Sequence, residues 1–170
     1  MGEVTKFHNC LILRDHKIVK EDILVRNGKF LDPEPLFFDE KKSAEISIDC
    51  AGLLIAPGLI DLQINGGFGV DFSHDIRSEK EAEKCLEIVA KGLLKYGVTS
   101  FCPTLVTSPK EVYHQIIPHV RKRKDLGAEI LGLHLEGPFI SPEKKGAHPL
   151  HCIRQLDNGF TDLTVHLNSC

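Results

Sequence analysis

No segment of this chain is both long and apolar enough to cross a bilayer. The longest apolar run, Leu53 to Ile60, is broken by Pro57-Gly58, whereas a spanning helix needs about 20 apolar residues. No membrane partner is expected. Met1 to Lys20 shows no apolar stretch of leader length and no small-residue cleavage site, so a cytoplasmic address is the expectation. An excess of one charge is also missing. The 21 Lys and Arg against 24 Asp and Glu give a net charge of −3 with nine His neutral, which offers nothing to a nucleic acid. The one basic cluster, Arg121-Lys122-Arg123-Lys124, reads as the solvated end of a helix, where cations suit the dipole. Cysteines stand at 10, 50, 85, 102, 152 and 170 with no C-x-x-C spacing, so neither a zinc ribbon nor a redox motif is indicated. Reduced thiols are expected, with Cys85 and Cys102 in patterns that look buried.

What is present suffices for a globular fold. In 170 residues, 42% are hydrophobic and 26% charged, which suits one domain or one domain with a small appendage. Residues 1–56 read as a small β domain. Val4 to Leu13 alternates loosely, Ile18 to Val25 is rich in β-branched residues, and Asn27-Gly28 signals a tight turn. Pro33 and Pro35 suggest a loop, and Ile46, Ile48 and Leu53-Leu54-Ile55 two more short strands.

After Pro57-Gly58 the pattern becomes strand, loop, helix, repeated. Leu59 to Ile64 reads as a strand and Asn65-Gly66-Gly67-Phe68-Gly69 as a glycine-rich loop. Ser78 with Glu81 forms a capping-box signature. Apolar positions 82, 85, 86, 89 and 93 follow helical spacing up to Gly97. Val98 to Cys102 is the next strand. Ser108-Pro109-Lys110-Glu111 suggests a second capping box with proline at the first helical position. Val112, Ile116, Ile117 and Val120 would form that helix's stripe, and Pro118 should kink or end it. Ile130 to Leu135 reads as a third strand. Such repeats build parallel sheets, whose active sites lie at the C-terminal strand ends. Three units fit before residue 150, against about 250 residues for a complete eightfold barrel. A barrel here would be incomplete.

Those strand ends carry the polar residues. His134 and Glu136 share one face of the third strand, opposite Leu131, Leu133 and Leu135. A carboxylate and an imidazole facing an interior must be paired or bound to metal. A hydrogen-bonded structural pair and a ligand site both satisfy that requirement. Asp61, Gln63 and Asn65 share one face of the first strand, an unusual alternation for core.

Four strings in this order are specific: Pro57-Gly58 through Asp61, Gln63 and Asn65-Gly66; Gly97-Val98-Thr99-Ser100 before Pro103-Thr104; His134-Leu135-Glu136-Gly137-Pro138-Phe139; and Lys145-Gly146-Ala147-His148. Over about residues 4–149 the chain resembles the amidohydrolase superfamily, and within it the branch of N-acetylglucosamine-6-phosphate deacetylases. The resemblance implies the N-terminal portion of a metal-dependent hydrolase (β/α)8 barrel, with an appended small β-sandwich domain. Residues 1–56 would be that small domain, 57–149 the first three strand–helix units, and 150–170 a tail outside the family.

The implied reaction is hydrolysis of N-acetyl-D-glucosamine 6-phosphate to glucosamine 6-phosphate and acetate. The implied partner is thus a small amino-sugar phosphate, and homodimers occur in the full-length family. Glu136 would ligate one divalent metal ion, zinc by expectation. Ala147 and His148 would contact the substrate, with His148 donating to the developing oxyanion. Many superfamily members have His-x-His at the first strand to hold a second metal. Gln63 and Asn65 are neutral amides and poor zinc ligands, so a single-metal site is expected, with Gln63, Asn65 and His134 supporting it. The family's remaining histidine ligands and its general-base aspartate come from later strands and have no counterpart here. His151, His166, Asp157 and Asp162 lack the family's surroundings. The chain is therefore expected to be truncated and inactive alone. The alternative is a non-catalytic fragment that binds a full-length partner or is unstable. A cyclic-amide hydrolase of the same superfamily fits less well, because those enzymes usually need the His-x-His pair.

Overall fold

The computed structural model describes residues 2–41, 43–159 and 161. The chain divides into two compact units, Met1–Pro57 and Gly58–Cys170.

The first unit is two small sheets. Its strands are β1 (Val4–His8), β2 (Leu11–Arg14), β3 (Lys17–Lys20), β4 (Ile23–Arg26), β5 (Lys29–Leu31), β6 (Ile46–Asp49) and β7 (Leu54–Ile55), with helix α1 (Pro33–Phe38) between β5 and β6. One sheet has the order β5-β4-β1-β6 and the other β3-β2-β7. The Asn27-Gly28 turn joins β4 to β5, with Arg26 opposite Lys29. The segment expected as a loop at Pro33 and Pro35 is the short helix α1. Asp32 caps it by accepting from Glu34 N at 3.0 Å, and prolines in a first turn lose no helical hydrogen bond.

The second unit is α/β. It contains β8 (Leu59–Ile64), β9 (Gly66–Gly67), β10 (Val70–Asp71), α2 (Glu79–Leu94), β11 (Val98–Val106), α3 (Lys110–Ile116), β12 (Glu129–Ile130) and β13 (His134–Glu136). β11 is central, with parallel β8 on one side and parallel β12 and β13 on the other. The third strand is thus two short pieces, interrupted around Gly132. The β8–β11 register shifts between Phe101 and Pro103, where proline cannot donate to a ladder.

Helix α2 starts as its sequence indicates. Ser78 Oγ accepts from Glu81 N at 3.3 Å, and Glu81 accepts from Arg77 N at 3.0 Å. Ala82, Cys85, Leu86, Val89 and Leu93 are buried. They pack with Phe72, Phe101, Leu105, Tyr113, Ile116 and Ile130 as the core of the unit. Gly97, at φ 75°, takes the left-handed conformation that ends the connection.

Helix α3 differs from expectation. Its N-cap is Pro109 without a side-chain bond, because Ser108 Oγ donates to Val106 O at 2.9 Å instead. Tyr113 and Ile116 are its buried residues, while Val112, Ile117 and Val120 are only partly buried. Pro118 ends the helix in a 3-10 turn over Ile117–His119. The basic cluster therefore lies beyond any helix. Arg123 pairs there with Glu83 and Asp125, and its backbone bridges Ile130. Cys85 is buried, whereas Cys102 is only half-buried. Among the described residues, no helix is long and apolar enough to cross a membrane.

Candidate active site

The parallel arrangement brings the C-terminal ends of β8, β11 and β13 side by side. Alternate residues of β8 and its extension present Gln63 and Asn65 on one face. Register across β11 places Val106 beside Glu136, the last residue of β13. Gln63 Nε2 donates to Glu136 Oε2 at 3.1 Å, and Asn65 Nδ2 donates to the same oxygen at 3.2 Å. Asp61 does not join them; its Oδ1 accepts from Gln63 N at 3.1 Å.

The other carboxylate oxygen, Glu136 Oε1, faces His148 Nε2 at 3.6 Å, with the two side chains 34% and 19% exposed. His148 arrives on a turn closed by its own N–H, which donates to Lys145 O at 3.0 Å. The Lys145 ammonium donates to Gly146 O and His148 O, each at 3.2 Å. These bonds fix the backbone on both sides of Ala147, which is exposed. His134 stands apart from Glu136. Its Nδ1 lies 3.2 Å from Thr104 Oγ1, so the structural pair that would have linked His134 to Glu136 is not formed. Glu136 instead gathers Gln63, Asn65 and His148.

Thr104 belongs to one of the four strings, whereas Thr107 had no role in the sequence pattern. They and Ser73 and Ser108 are the buried polar side chains among the described residues, and they cluster at the end of β11. Ser73 Oγ accepts from Val106 N at 3.1 Å. Tyr113 OH donates to Val106 O at 3.2 Å and accepts from Ser108 N at 3.1 Å; burial pushes its phenol above the usual value. Thr107 Oγ1 donates to Glu136 O at 3.2 Å and meets His148 Nδ1 at 2.8 Å. The available signal was one hydroxyl, Thr104, in the otherwise apolar stretch from Phe101 to Val106, and the Thr-Ser-Pro that follows.

The donor set can be tested against a divalent ion. Among the described residues no Lys or Arg lies within ion-pair distance of Glu136; its oxygens face two neutral amides and one histidine. A carboxylate without a fixed counter-ion suits a hard or borderline cation. Among the described residues, however, no group of three or more His, Cys, Asp or Glu side chains converges. The set fits as one anionic ligand of a larger site. His151 and Asp157 are exposed, and His166 and Asp162 lie outside the described residues.

Comparison with known proteins decides the lineage. The Amidohydrolase family matches residues 54–168. The chain belongs to the amidohydrolase family. The match runs past Pro149, where the motifs alone had set its limit. The beginning of residues 150–170 also packs back onto this amidohydrolase unit. Cys152 is buried, and Arg154 N donates to Pro138 O at 3.0 Å.

The amidohydrolase chain is 53% identical over 165 residues to N-acetylglucosamine-6-phosphate deacetylase of Homo sapiens, covering 95% of this chain and 40% of that protein. The rat protein of the same name is 52% identical over 166 residues, covering 96% and 40%. The crystal structure of N-acetylglucosamine-6-phosphate deacetylase from Pasteurella multocida superposes with a TM-score of 0.73 at 33% identity. It covers 95% of this chain and 41% of that one. The chain thus spans about two fifths of the length of the relatives it matches.

Proposed function

We propose that this chain forms part of a metal-dependent deacetylase that hydrolyses N-acetylglucosamine 6-phosphate to glucosamine 6-phosphate and acetate. The observation that carries the reading is the convergence of Gln63, Asn65 and His148 on Glu136, in a chain about half identical to proteins of that name. In this reading, residues 57–149 are the first strand–helix units of a (β/α)8 barrel, and residues 1–56 are its appended β domain. The parallel order of β8, β11 and β13, with polar residues gathered at one end, supports it.

Glu136 would hold one divalent ion, zinc in our assignment. Gln63 and Asn65 would fix the carboxylate's orientation by hydrogen bonds, as partners outside the ligand shell generally do. Their neutral amides argue against a second ion at the first strand. The chemistry supplied by such an ion when bound is acidification of a water and polarisation of the amide carbonyl. His148 and the Ala147 backbone would contact the sugar phosphate, with His134 held on Thr104 behind them. Homodimerisation of the complete enzyme and a cytoplasmic location belong to the same proposal. The latter is supported by free thiols at Cys10, Cys50, Cys85, Cys102 and Cys152.

The test is a chimera in which residues 1–149 are followed by the corresponding remainder of the human relative. Acetate release from N-acetylglucosamine 6-phosphate is measured beside ring opening of a cyclic amide. Activity on the amino sugar that Glu136→Gln abolishes supports the reading. Activity on the cyclic amide alone would replace it.

A further inference from the structure

We propose that Cys10 and Cys50 form a dithiol modification site, which closes to an intramolecular disulfide by exchange with a small apolar disulfide. The site lies wholly within Met1–Pro57 and shares no residue with the candidate active site.

Backbone pairing brings the two cysteines together. Strands β1 and β6 run parallel with His8 opposite Asp49, and β2 and β7 run parallel with Leu11 opposite Leu54. The segments that join β1 to β2 and β6 to β7 therefore cross between the two sheets at one corner of the unit. Cys10 ends the first crossover and Cys50 begins the second. Cys50 N donates to His8 O at 2.9 Å, and Gly52 N donates to Asn9 O at 2.7 Å, so the crossovers keep the spacing of paired strands. That spacing, about 4.8 Å, falls inside the separation of about 4.4–6.8 Å that a disulfide spans between Cα atoms.

The thiols turn toward the same place. Asn9, at φ 53°, folds the chain back so that Cys10 Sγ lies 3.7 Å from Phe7 O. Cys50 Sγ lies 3.9 Å from Ile48 O, and Phe7 stands opposite Ile48 in the ladder. Desolvation raises the Cys50 thiol above its usual pKa, and the charge and hydrogen bond of the adjoining Cys10 thiol add to the shift.

Access differs between the two and sets the order of events. Cys10 is fully buried, with its thiol donating to Glu21 O at 2.9 Å. Cys50 is half-buried and lines a cavity of about 560 Å³ with Phe7, Ile23, Val25, Phe30 and Leu54. An apolar disulfide entering that cavity meets Cys50 first. The Cys50 thiol gives its proton to solvent, and the thiolate attacks one sulfur of the reagent. The reagent's S–S bond breaks, and one half leaves as a thiolate that takes up a proton. Cys10, deprotonated in turn, attacks the Cys50 sulfur of the mixed disulfide and expels the other half. In sum, the protein dithiol is oxidised to a disulfide while one reagent disulfide is reduced to two thiols. The new bond staples the corner at which both crossovers change sheet.

The test treats the full chain, under native conditions, with the neutral aromatic disulfide dithiodipyridine, followed by peptide mapping by mass. The peptides carrying Cys10 and Cys50 should be found joined, without a pyridyl adduct on either, and a dithiol reductant should separate them. In Cys10→Ser the adduct should stay on Cys50. In Cys50→Ser, Cys10 should remain unmodified. A lasting adduct on Cys50 in the wild type, no reaction at either cysteine, or Cys10 joined to a different cysteine would overturn the proposal. Should a variant fail to fold, the wild-type map still decides. No step of the test reads catalytic activity.

Discussion

Gln63 and Glu136 are 73 residues apart in sequence, yet the Gln63 amide donates to the Glu136 carboxylate at 3.1 Å. That bond ties the end of the first parallel strand to the end of the third. With Asn65 on the same oxygen, it aims the carboxylate while adding no charge. Removing either amide should therefore weaken metal binding without abolishing it. In the completed chimera, Gln63→Ala or Asn65→Ala should lower metal affinity about 10- to 100-fold, the range for such supporting partners. Competition with a chromophoric chelator measures it. An unchanged affinity in both variants would mean that the amides serve only the strand.

The neutrality of those two positions is the basis of the proposed single-ion stoichiometry. Elemental analysis of the chimera should give close to one tightly held divalent ion per chain. Two equivalents would require ligands at a second site that Gln63 and Asn65 do not supply, and the single-metal account would fall.

Outside the site, the exposed carboxylate of Asp125 gives a dependence on acid. The hydrogen bond from the Arg123 guanidinium lowers its pKa from 3.8 to about 2, and Glu83 shares the same guanidinium. A carboxyl whose folded value is depressed stabilises the fold above its unfolded value and loses that contribution as pH falls through the folded one. Wild type and Asp125→Asn should thus differ in urea midpoint at pH 6 and converge as pH falls from about 4 to about 2. High salt should shrink the difference, since exposed pairs are screened. A difference that persists at pH 2 would rule out ionic pairing as its source.

The core of the second unit predicts a larger effect. Leu86 is fully buried on α2 against the β11 side chains. Leu86→Ala should cost about 2–5 kcal/mol, from lost burial and the cavity left behind. Urea unfolding of the full chain measures it. A cost below about 1 kcal/mol would show that α2 is not packed as described.

Local signals in the sequence were read well because their partners are close along the chain. The bounds of β8, the Ser78–Glu81 start of α2 and its buried stripe all depend on residues a few positions apart. The failures share the opposite cause. Ser108 carries a cap signature, but the carbonyl of Val106 captures its hydroxyl. The third strand reads as continuous because its leucines alternate, yet the ladder to β11 is interrupted around Gly132. Within the site, Glu136, Gln63, Asn65 and His148 were legible as a set only through the resemblance. Spacing alone cannot show that they meet. Thr107 was invisible because a threonine near a strand end is ordinary until its two partners, Glu136 and His148, are known.

The described residues also bear on the chain by itself. They bring no group of three or more candidate metal ligands together, where a catalytic zinc commonly has three protein ligands. Purified from a host without its own deacetylase and supplied with zinc, the 170-residue chain should release no acetate above background. Turnover on the order of 1–10³ per second would show that ligands are supplied from outside the described residues or by a second copy.

The central claim is that Glu136 is the anionic metal ligand of a deacetylase site. It is tested most directly by metal content and acetate release measured together in the chimera carrying Glu136→Gln. The neutral amide keeps the side chain's size and removes its charge. The account predicts loss of most of the bound ion and at least a hundredfold fall in turnover, on the order of a lost catalytic group. Full metal content with normal turnover would contradict it.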